Sequence, residues 1–437
     1  MQWNCGRFTK CVLPTVIALC LTVNALAQTA TSDPSALEDK VRQLEAELSD
    51  LRSQVAAVKQ AQAPAPAVPA NSLVPAASAD ADKKSSTPSL GSILGNTTLS
   101  GFIDGYYGEN FNNPANRTSG FRYFDAASNQ FGLNLIELVV DKTPDPANSR
   151  TGYHIALGYG QAMNAIYGAG TTASLSADQY VKEAYFSYLA PVGKGLQIDI
   201  GKYVTPHGAE VIETKDNWNY TRGLLFYSAI PYFHYGMRAK YAFNDKYSLT
   251  GFFNNGWNDV VDNNSGKTYG LTFGWNPNKK FSLAQCYMAG PEGANNNSNW
   301  RQMFDTVATI SPTERLTFML NYDYGRGDRI EGVANPVYWT GIAGYVKYAL
   351  NSKYSVATRY EYYNDHYGFT TGTAGHVQEV TGTFQRLMAS HILGRLEFRH
   401  DQANNPIFTK GANEMVNAQN TLTAGMVFMF DSKEGSK

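Results

Sequence analysis

The sequence predicts an all-β chain: a transmembrane antiparallel up-and-down β-barrel of about 16 strands, preceded by a short N-terminal coiled-coil helix. Three observations carry this prediction. Segments of about ten residues alternate apolar and polar side chains, as strands with two different faces do. The connections between them are alternately long and short. The polar faces carry charges that the core of a soluble domain would not bury.

The N-terminus, residues 1–27, has the pattern of a secretory signal peptide. Arg7 and Lys10 supply the positive charges, Val12 to Val23 form the apolar core, and Ala25 to Ala27 are the small residues of a cleavage site. The alternative is a membrane-spanning helix. Such a helix needs about 20 apolar residues, and this run is shorter. We therefore expect an exported chain.

Residues 35–60 change to helical spacing, because apolar residues recur at alternating steps of four and three. A helix with so narrow an apolar seam cannot bury it alone, so it predicts self-association, with a trimer favoured. The alternative is a helix that lies on its own barrel. Residues 61–96 are rich in Ala, Pro and Ser and predict an extended linker before a barrel over 97–437. The seam consists of Leu37, Val41, Leu44, Leu48, Leu51, Val55 and Val58.

Sixteen segments are predicted strands, and an even number is what a single-chain bacterial barrel requires. Residues 269–275 are the clearest, because Tyr269, Leu271 and Phe273 fall on one face and small residues on the other. The second strand alternates poorly and predicts a bulge. The predicted strands lie near 97–108, 130–141, 151–162, 178–190, 195–204, 233–243, 247–257, 266–276, 280–290, 300–311, 314–326, 338–349, 353–364, 376–388, 390–401 and 419–430.

The connections also separate into two kinds. Long loops on one side and tight turns on the other are typical of outer-membrane barrels. Aromatic residues cluster near the strand ends and predict two girdles at the membrane interfaces. The long connections include 109–129, 163–177, 205–232, 327–337 and 402–418, and the short ones include 191–194, 244–246, 276–279 and 351–352.

Composition and motifs exclude several other functions. The formal net charge of −1 lacks the excess of basic residues that is typical of nucleic-acid-binding proteins. The seven His have no zinc-binding spacing, and no phosphate-binding or nucleophile motif is present, so neither a cofactor nor an enzyme is expected. Asp259, Asp262, Asn263 and Asn264 could offer oxygens to Ca²⁺, but they lack the spacing of a known loop and predict a turn. Cys286, alone after the leader is removed, predicts a packing residue.

The candidate functional residues lie in the loop 205–232, the longest connection in the barrel, and on the polar faces of nearby strands. Acidic loop groups facing a basic wall would create a field across a narrow opening and screen solutes by charge. The alternative is a surface loop with ordinary solvated charges. The predicted pore-lining or constriction residues are Glu210, Glu213, Lys215, Asp216, Arg222, Arg238, Lys240, Arg359, Glu361, Arg395, Glu397 and Arg399.

Over residues 97–430 the sequence resembles the OmpL-like β-barrel porins. The resemblance is carried by Gly101 to Tyr107 in the first strand, Asn129 to Asn134 in the second, and Gly201 to Glu210 at a strand-to-loop junction. Porin chains often end on an aromatic residue, whereas Phe428-Met429-Phe430 is followed here by Asp431 to Lys437.

The resemblance implies a porin in the bacterial outer membrane, with the N-terminal helix in the periplasm and with outer-membrane lipid and lipopolysaccharide as partners. Small hydrophilic solutes or ions would diffuse passively through a water-filled lumen narrowed by the loop 205–232. The alternative is a structural envelope tether, or a plugged barrel, that uses the heptad helix for oligomerisation or cell-wall contact.

Overall fold

The structure is a computed structural model, and it describes residues 95–168, 176–327 and 336–432. The predicted leader over 1–27, the predicted helix over 35–60 and residues 61–94 of the predicted linker lie outside the described residues. Within the described ranges, no helix has the length and apolar character needed to span a membrane.

Sixteen long antiparallel strands form the described part of the chain, and all sixteen predicted strands are confirmed. A small hairpin, β16–β17, lies within the last long connection and was not predicted. The strands are β1 Thr98–Asn110, β2 Gln130–Lys142, β3 Thr151–Tyr159, β4 Val181–Ala190, β5 Leu196–Val204, β6 Phe233–Ala242, β7 Tyr247–Asn254, β8 Thr268–Asn278, β9 Phe281–Gly293, β10 Asn296–Ile310, β11 Leu316–Gly327, β12 Val337–Ala349, β13 Tyr354–Asp365, β14 Gly375–Ala389, β15 Ile392–Ala403, β16 Phe408–Lys410, β17 Glu414–Val416 and β18 Ala418–Asp431.

Each long strand pairs with its neighbours in the chain, and β18 pairs with β1 to close the barrel. The closing register places Tyr106 opposite Gly425 and Asp104 opposite Val427. Closure leaves no unpaired edge strand, so every backbone group of the wall can find a partner without water.

The two faces of the wall have opposite character, as predicted. On β8, Tyr269 and Leu271 are each 53% exposed on the outer face. On β13, Tyr360 is 48% exposed, whereas its neighbours Arg359 and Glu361 are fully buried. Apolar side chains therefore point away from the barrel axis and charged ones point inward, because side chains alternate along a strand.

The predicted bulge in the second strand is confirmed. Along the β1–β2 ladder, Asp104 pairs with Leu135 but Gly105 pairs with Leu133, so Asn134 is the extra residue. Asn134 and Leu135 are both fully buried. The bulge lets two successive side chains point inward, which explains why the sequence alternates poorly there.

The connections divide between the two ends of the barrel, called here the long-loop end and the short-turn end. At the short-turn end, Asn244 Oδ1 accepts hydrogen bonds from the backbone N–H groups of Lys246 and Tyr247, which closes a tight turn. In the described parts of the long-loop end, connections contain the α-helices α1 Gln161–Gly168 and α2 Leu224–Ser228 and the 3₁₀ helices Ser176–Tyr180 and Thr214–Asp216.

Candidate functional site

The loop 205–232 connects β5 to β6, and its backbone contacts inward-facing side chains of distant strands. The Gly208 N–H donates to Asp305 Oδ2 on β10 at 3.0 Å, and the Ala209 N–H donates to Asn321 Oδ1 on β11 at 3.1 Å. The loop therefore lies inside the ring of strands. Side chains of the wall thus satisfy backbone groups of the loop, as buried polar groups require.

Arg359 on β13 bonds to both the loop and the neighbouring strand. Its Nη1 donates to Glu210 Oε1 at 2.5 Å and to the Thr221 carbonyl at 2.7 Å, while its Nε donates to Glu379 Oε1 at 2.6 Å. The side chain is fully buried. Such charge-assisted bonds fix two points of the loop to one wall residue.

Two arginines of β15 bind the loop through its carbonyl groups. Arg395 donates from Nη1 to the Thr214 carbonyl and from Nη2 to the Asn217 carbonyl, each at 2.5 Å. Arg399 donates from Nη1 to the Arg222 carbonyl at 2.7 Å. Both guanidinium groups thus act on the loop backbone, a role that the loop's own residue types could not reveal.

Two wall carboxylates accept hydrogen bonds from loop N–H groups. Glu397 accepts from the backbone N–H groups of Tyr220 and Thr221, at 2.5 and 3.0 Å. Glu361 accepts from the backbone N–H of Leu224, the first residue of α2. Acceptors on the wall therefore satisfy loop donors that would otherwise be buried without partners.

The remaining acidic and basic loop residues differ in exposure. Glu213 pairs with the buried Lys182 of β4. Lys215 pairs with Asp216 at 2.6 Å, and these side chains are 29% and 54% exposed. Among the loop's predicted charges, Lys215 and Asp216 are the ones in substantial contact with solvent.

The loop 111–129 joins the same charged cluster, which the sequence did not indicate. Arg122 donates to Asp401 Oδ2 at 3.3 Å and is buried. The Phe124 ring lies under the guanidinium of Arg222, 5.2 Å from its centre. Two long loops therefore share one set of buried ionic contacts inside the barrel.

Arg238 and Lys240 lie on the inner face of β6. Arg238 Nε donates to Asp199 Oδ2 at 2.8 Å, and its guanidinium lies over the rings of Tyr185 and Tyr203. Lys240 follows two residues closer to the short-turn end and is exposed. These two residues contact the wall and the solvent.

Asp104 on β1 is a site residue that sequence reasoning missed. Its Oδ1 accepts from the Tyr220 hydroxyl at 2.7 Å, and its Oδ2 accepts from Thr214 Oγ1 and Asn134 Nδ2, each at 2.5 Å. The Tyr220 ring lies against Gly425, where an added Cβ would be 2.2 Å from a ring carbon. The sequence could have indicated Asp104, because the alternation of β1 places it on the inward face.

His207, near the start of the loop, is fully enclosed. Burial, and to a smaller extent the neighbouring His234, lower the pKa of His207 to about 3. Its Nε2 lies 3.5 Å from Sγ of Cys286. The imidazole is therefore neutral at physiological pH and acts as a packing group.

The charges of this site are in contact with each other. Glu210 and Arg359 form a direct ion pair, so these acidic and basic groups do not face one another across water. The arrangement can hold the loop in one conformation, because the buried charges bond to opposite charges, to backbone groups or, at Asp104, to hydroxyl and amide side chains. Among the predicted residues, Lys215, Asp216, Arg238 and Lys240 keep partial or full contact with solvent.

Within the described ranges, no group of three or more His, Cys, Asp or Glu side chains is placed to hold a metal ion. Asp262, one of the possible Ca²⁺ ligands, forms an ion pair with Lys267.

Comparison with solved structures shows the same fold. OmpT, an outer membrane protein of Vibrio cholerae, aligns with a TM-score of 0.51 and 11% identity over 76% of this chain and 97% of that one. The anion-selective porin from Comamonas acidovorans aligns with a TM-score of 0.50 and 9% identity over 76% and 99% of the two chains. At such low identity the likeness concerns the fold alone.

A comparison with curated protein sequences gives no match. A family model described as "Putative beta-barrel porin-2, OmpL-like" matches residues 96–430. That range covers all sixteen barrel strands apart from the last residue of β18. The chain therefore belongs to the OmpL-like β-barrel porin family.

Proposed function

We propose that this protein is an outer-membrane porin through which small hydrophilic solutes or ions diffuse passively, with the loop 205–232 narrowing the lumen. The observation that carries the proposal is the closed barrel with an apolar outer face and a charged interior. Hydrocarbon excludes exposed charges and unpaired backbone groups. A barrel of this kind therefore fits a membrane, with lipid against its outer face and water in its lumen.

The constriction role is supported by the contacts of the loop. Arg359, Arg395 and Glu397 bind it from two strands of the same wall, while Asp104 binds it from β1. A segment held from several sides inside a barrel takes up lumen that would otherwise be open. The solvent-exposed charges of Lys215, Asp216 and Lys240 would then be the first to screen solutes.

The direct test is conductance of the purified full chain in a planar lipid bilayer. We expect discrete steps of steady current in KCl. Replacing residues 209–222 by a short Gly-Ser linker should raise the conductance of each step. Replacing the exposed residues 412–415 of another loop at the same end by Gly and Ser is the control and should leave the current unchanged. No current from a folded, inserted barrel would refute the proposal.

A plugged barrel that serves as an envelope tether is the second candidate. It is favoured by the complete burial of Arg359 and Glu361 at the loop contacts. It predicts an inserted barrel with no current, and a weakened envelope with unchanged uptake after deletion of 35–60. Conductance of the full chain would exclude it.

We also propose that the protein forms a homo-oligomer, with a trimer favoured, through the predicted helix over 35–60 in the periplasm. The apolar outer face would contact outer-membrane lipid and lipopolysaccharide.

A further inference from the structure

A polar groove opens at the long-loop end between the loop 111–129 and α1. Its volume is about 460 Å³. The lining holds amide, guanidinium, hydroxyl and aromatic groups and no carboxylate, whereas the charged cluster inside the barrel contains several. Its polar side chains are Asn116, Arg117, Thr118, Gln130, Gln161 and Asn164.

Two amides of the groove are oriented by contacts behind them. Gln161 Oε1 accepts from the Tyr106 hydroxyl at 2.6 Å, so its NH₂ group is left for the groove. Gln130 Nε2 donates to the Arg117 carbonyl at 3.3 Å, so its Oε1 is left as an acceptor. The groove thus presents fixed donors next to a fixed acceptor.

Arg117 is held in an unfavourable backbone conformation that presents its side chain to solvent. Its φ is +53°, which a non-glycine residue rarely adopts. Its N–H donates to the Pro114 carbonyl and its carbonyl accepts from the Ser128 N–H, each at 2.9 Å. Strain maintained by such bonds is often found where a side chain must be placed for a ligand.

Tyr123 adds an aromatic surface to the groove. It is 46% exposed, and its ring is supported by Tyr227 of α2 with the ring centres 4.6 Å apart. An exposed aromatic face fixed by a neighbouring ring offers a flat apolar contact with little entropic cost.

From this geometry we propose that the groove binds a saccharide. Sugar hydroxyls donate and accept hydrogen bonds at once, which matches the paired amides, and the C–H face of a pyranose ring matches Tyr123. Arg117 can bind the carboxylate of an acidic sugar through two parallel hydrogen bonds. That this saccharide is a solute of the channel rests on the proposed function. That the groove binds a saccharide does not depend on it.

The test is calorimetric titration of the full chain in detergent micelles with trigalacturonate and maltohexaose. We expect saturable binding of both, tighter for trigalacturonate because of its carboxylates. The double variant Arg117→Ala, Asn164→Ala should weaken trigalacturonate binding about tenfold or more, since it removes a charge-assisted contact. Lys410→Ala, an exposed basic residue elsewhere in the loops of the same end, should change nothing.

A third titration uses the core oligosaccharide released from lipopolysaccharide. Binding of this probe more tightly than of the other two would keep the saccharide site but overturn its assignment to a channel solute. No saturable heat with any of the three probes, or equal binding by the double variant, would overturn the groove as a saccharide site. Current in KCl is measured separately, so a channel that conducts without binding sugar refutes this inference alone.

Discussion

Replacing Arg395 by Gln should release the loop 205–232 from the wall. The shorter, neutral side chain cannot reach the carbonyls of Thr214 and Asn217, which Arg395 bonds at 2.5 Å, or that of Asn219 at 3.2 Å. Hydrogen bonds to a charged group contribute about 1.5 kcal/mol each at the lower end of the measured range, so three sum to about 4.5 kcal/mol. Since 1.36 kcal/mol is a factor of ten, the released form should become roughly 2000-fold more populated.

The assay is single-channel recording in planar bilayers, with limited proteolysis of the loop as a second readout. The variant should show larger or fluctuating current steps and faster cleavage between residues 205 and 232. Arg386→Gln is the matched control, because Arg386 is exposed on the outer face of the adjacent strand. Wild-type current and wild-type cleavage from a correctly folded Arg395→Gln barrel would refute the assigned role of Arg395.

Three further predictions concern packing, pH and assembly. Gly425→Ala should lower the free energy of unfolding by about 1–3 kcal/mol, because the new Cβ would overlap the Tyr220 ring, whereas Gly382→Ala, with open space around it, should be neutral in urea titrations. The folded pKa of His207, about 3, lies below its unfolded value of about 6.5, so its contribution to stability is complete above pH 6.5 and is lost as the pH falls. His207→Gln should therefore reduce the loss of stability between pH 7 and pH 4; an unchanged pH dependence would contradict this. Deletion of 35–60 should convert cross-linked trimers to monomers without changing current per barrel, and persistent trimers would refute the role of the helix.

The barrel was largely predictable because its signal is local. Every second residue of a strand meets one environment, so residues 269–275 indicate their own orientation without knowledge of the rest of the chain. The bulge at Asn134 was also visible, since an extra residue interrupts the alternation. The small hairpin β16–β17 was missed because strands of three residues are too short to show a period.

The charged cluster was predictable only in part. Strand alternation placed Arg359 and Glu397 on the inward face, so both were predicted as site residues. Glu210 was predicted because it lies in the long loop 205–232. Their pairing was not predictable, because the loop and the wall approach each other only once the barrel has closed. Asp104 was missed although it lies at an inward position, since a single carboxylate in a strand gives no sign of its partners.

The sequence also suggested charges facing each other across an opening. The structure has Glu210 and Arg359 in contact, because a buried charge is stable only when it is paired. Side-chain pairing of this kind depends on distances between segments that are far apart in the chain.

The central claim is that the apolar face of the barrel meets hydrocarbon while the polar face meets water. The most direct measurement is spin-label relaxation at residues 316–320 of β11, one label at a time, in liposomes and in a Cys286→Ser background. We predict that labels at 316, 318 and 320 respond to lipid-soluble oxygen and those at 317 and 319 to a water-soluble nickel chelate. The reverse alternation, or none, would contradict the account.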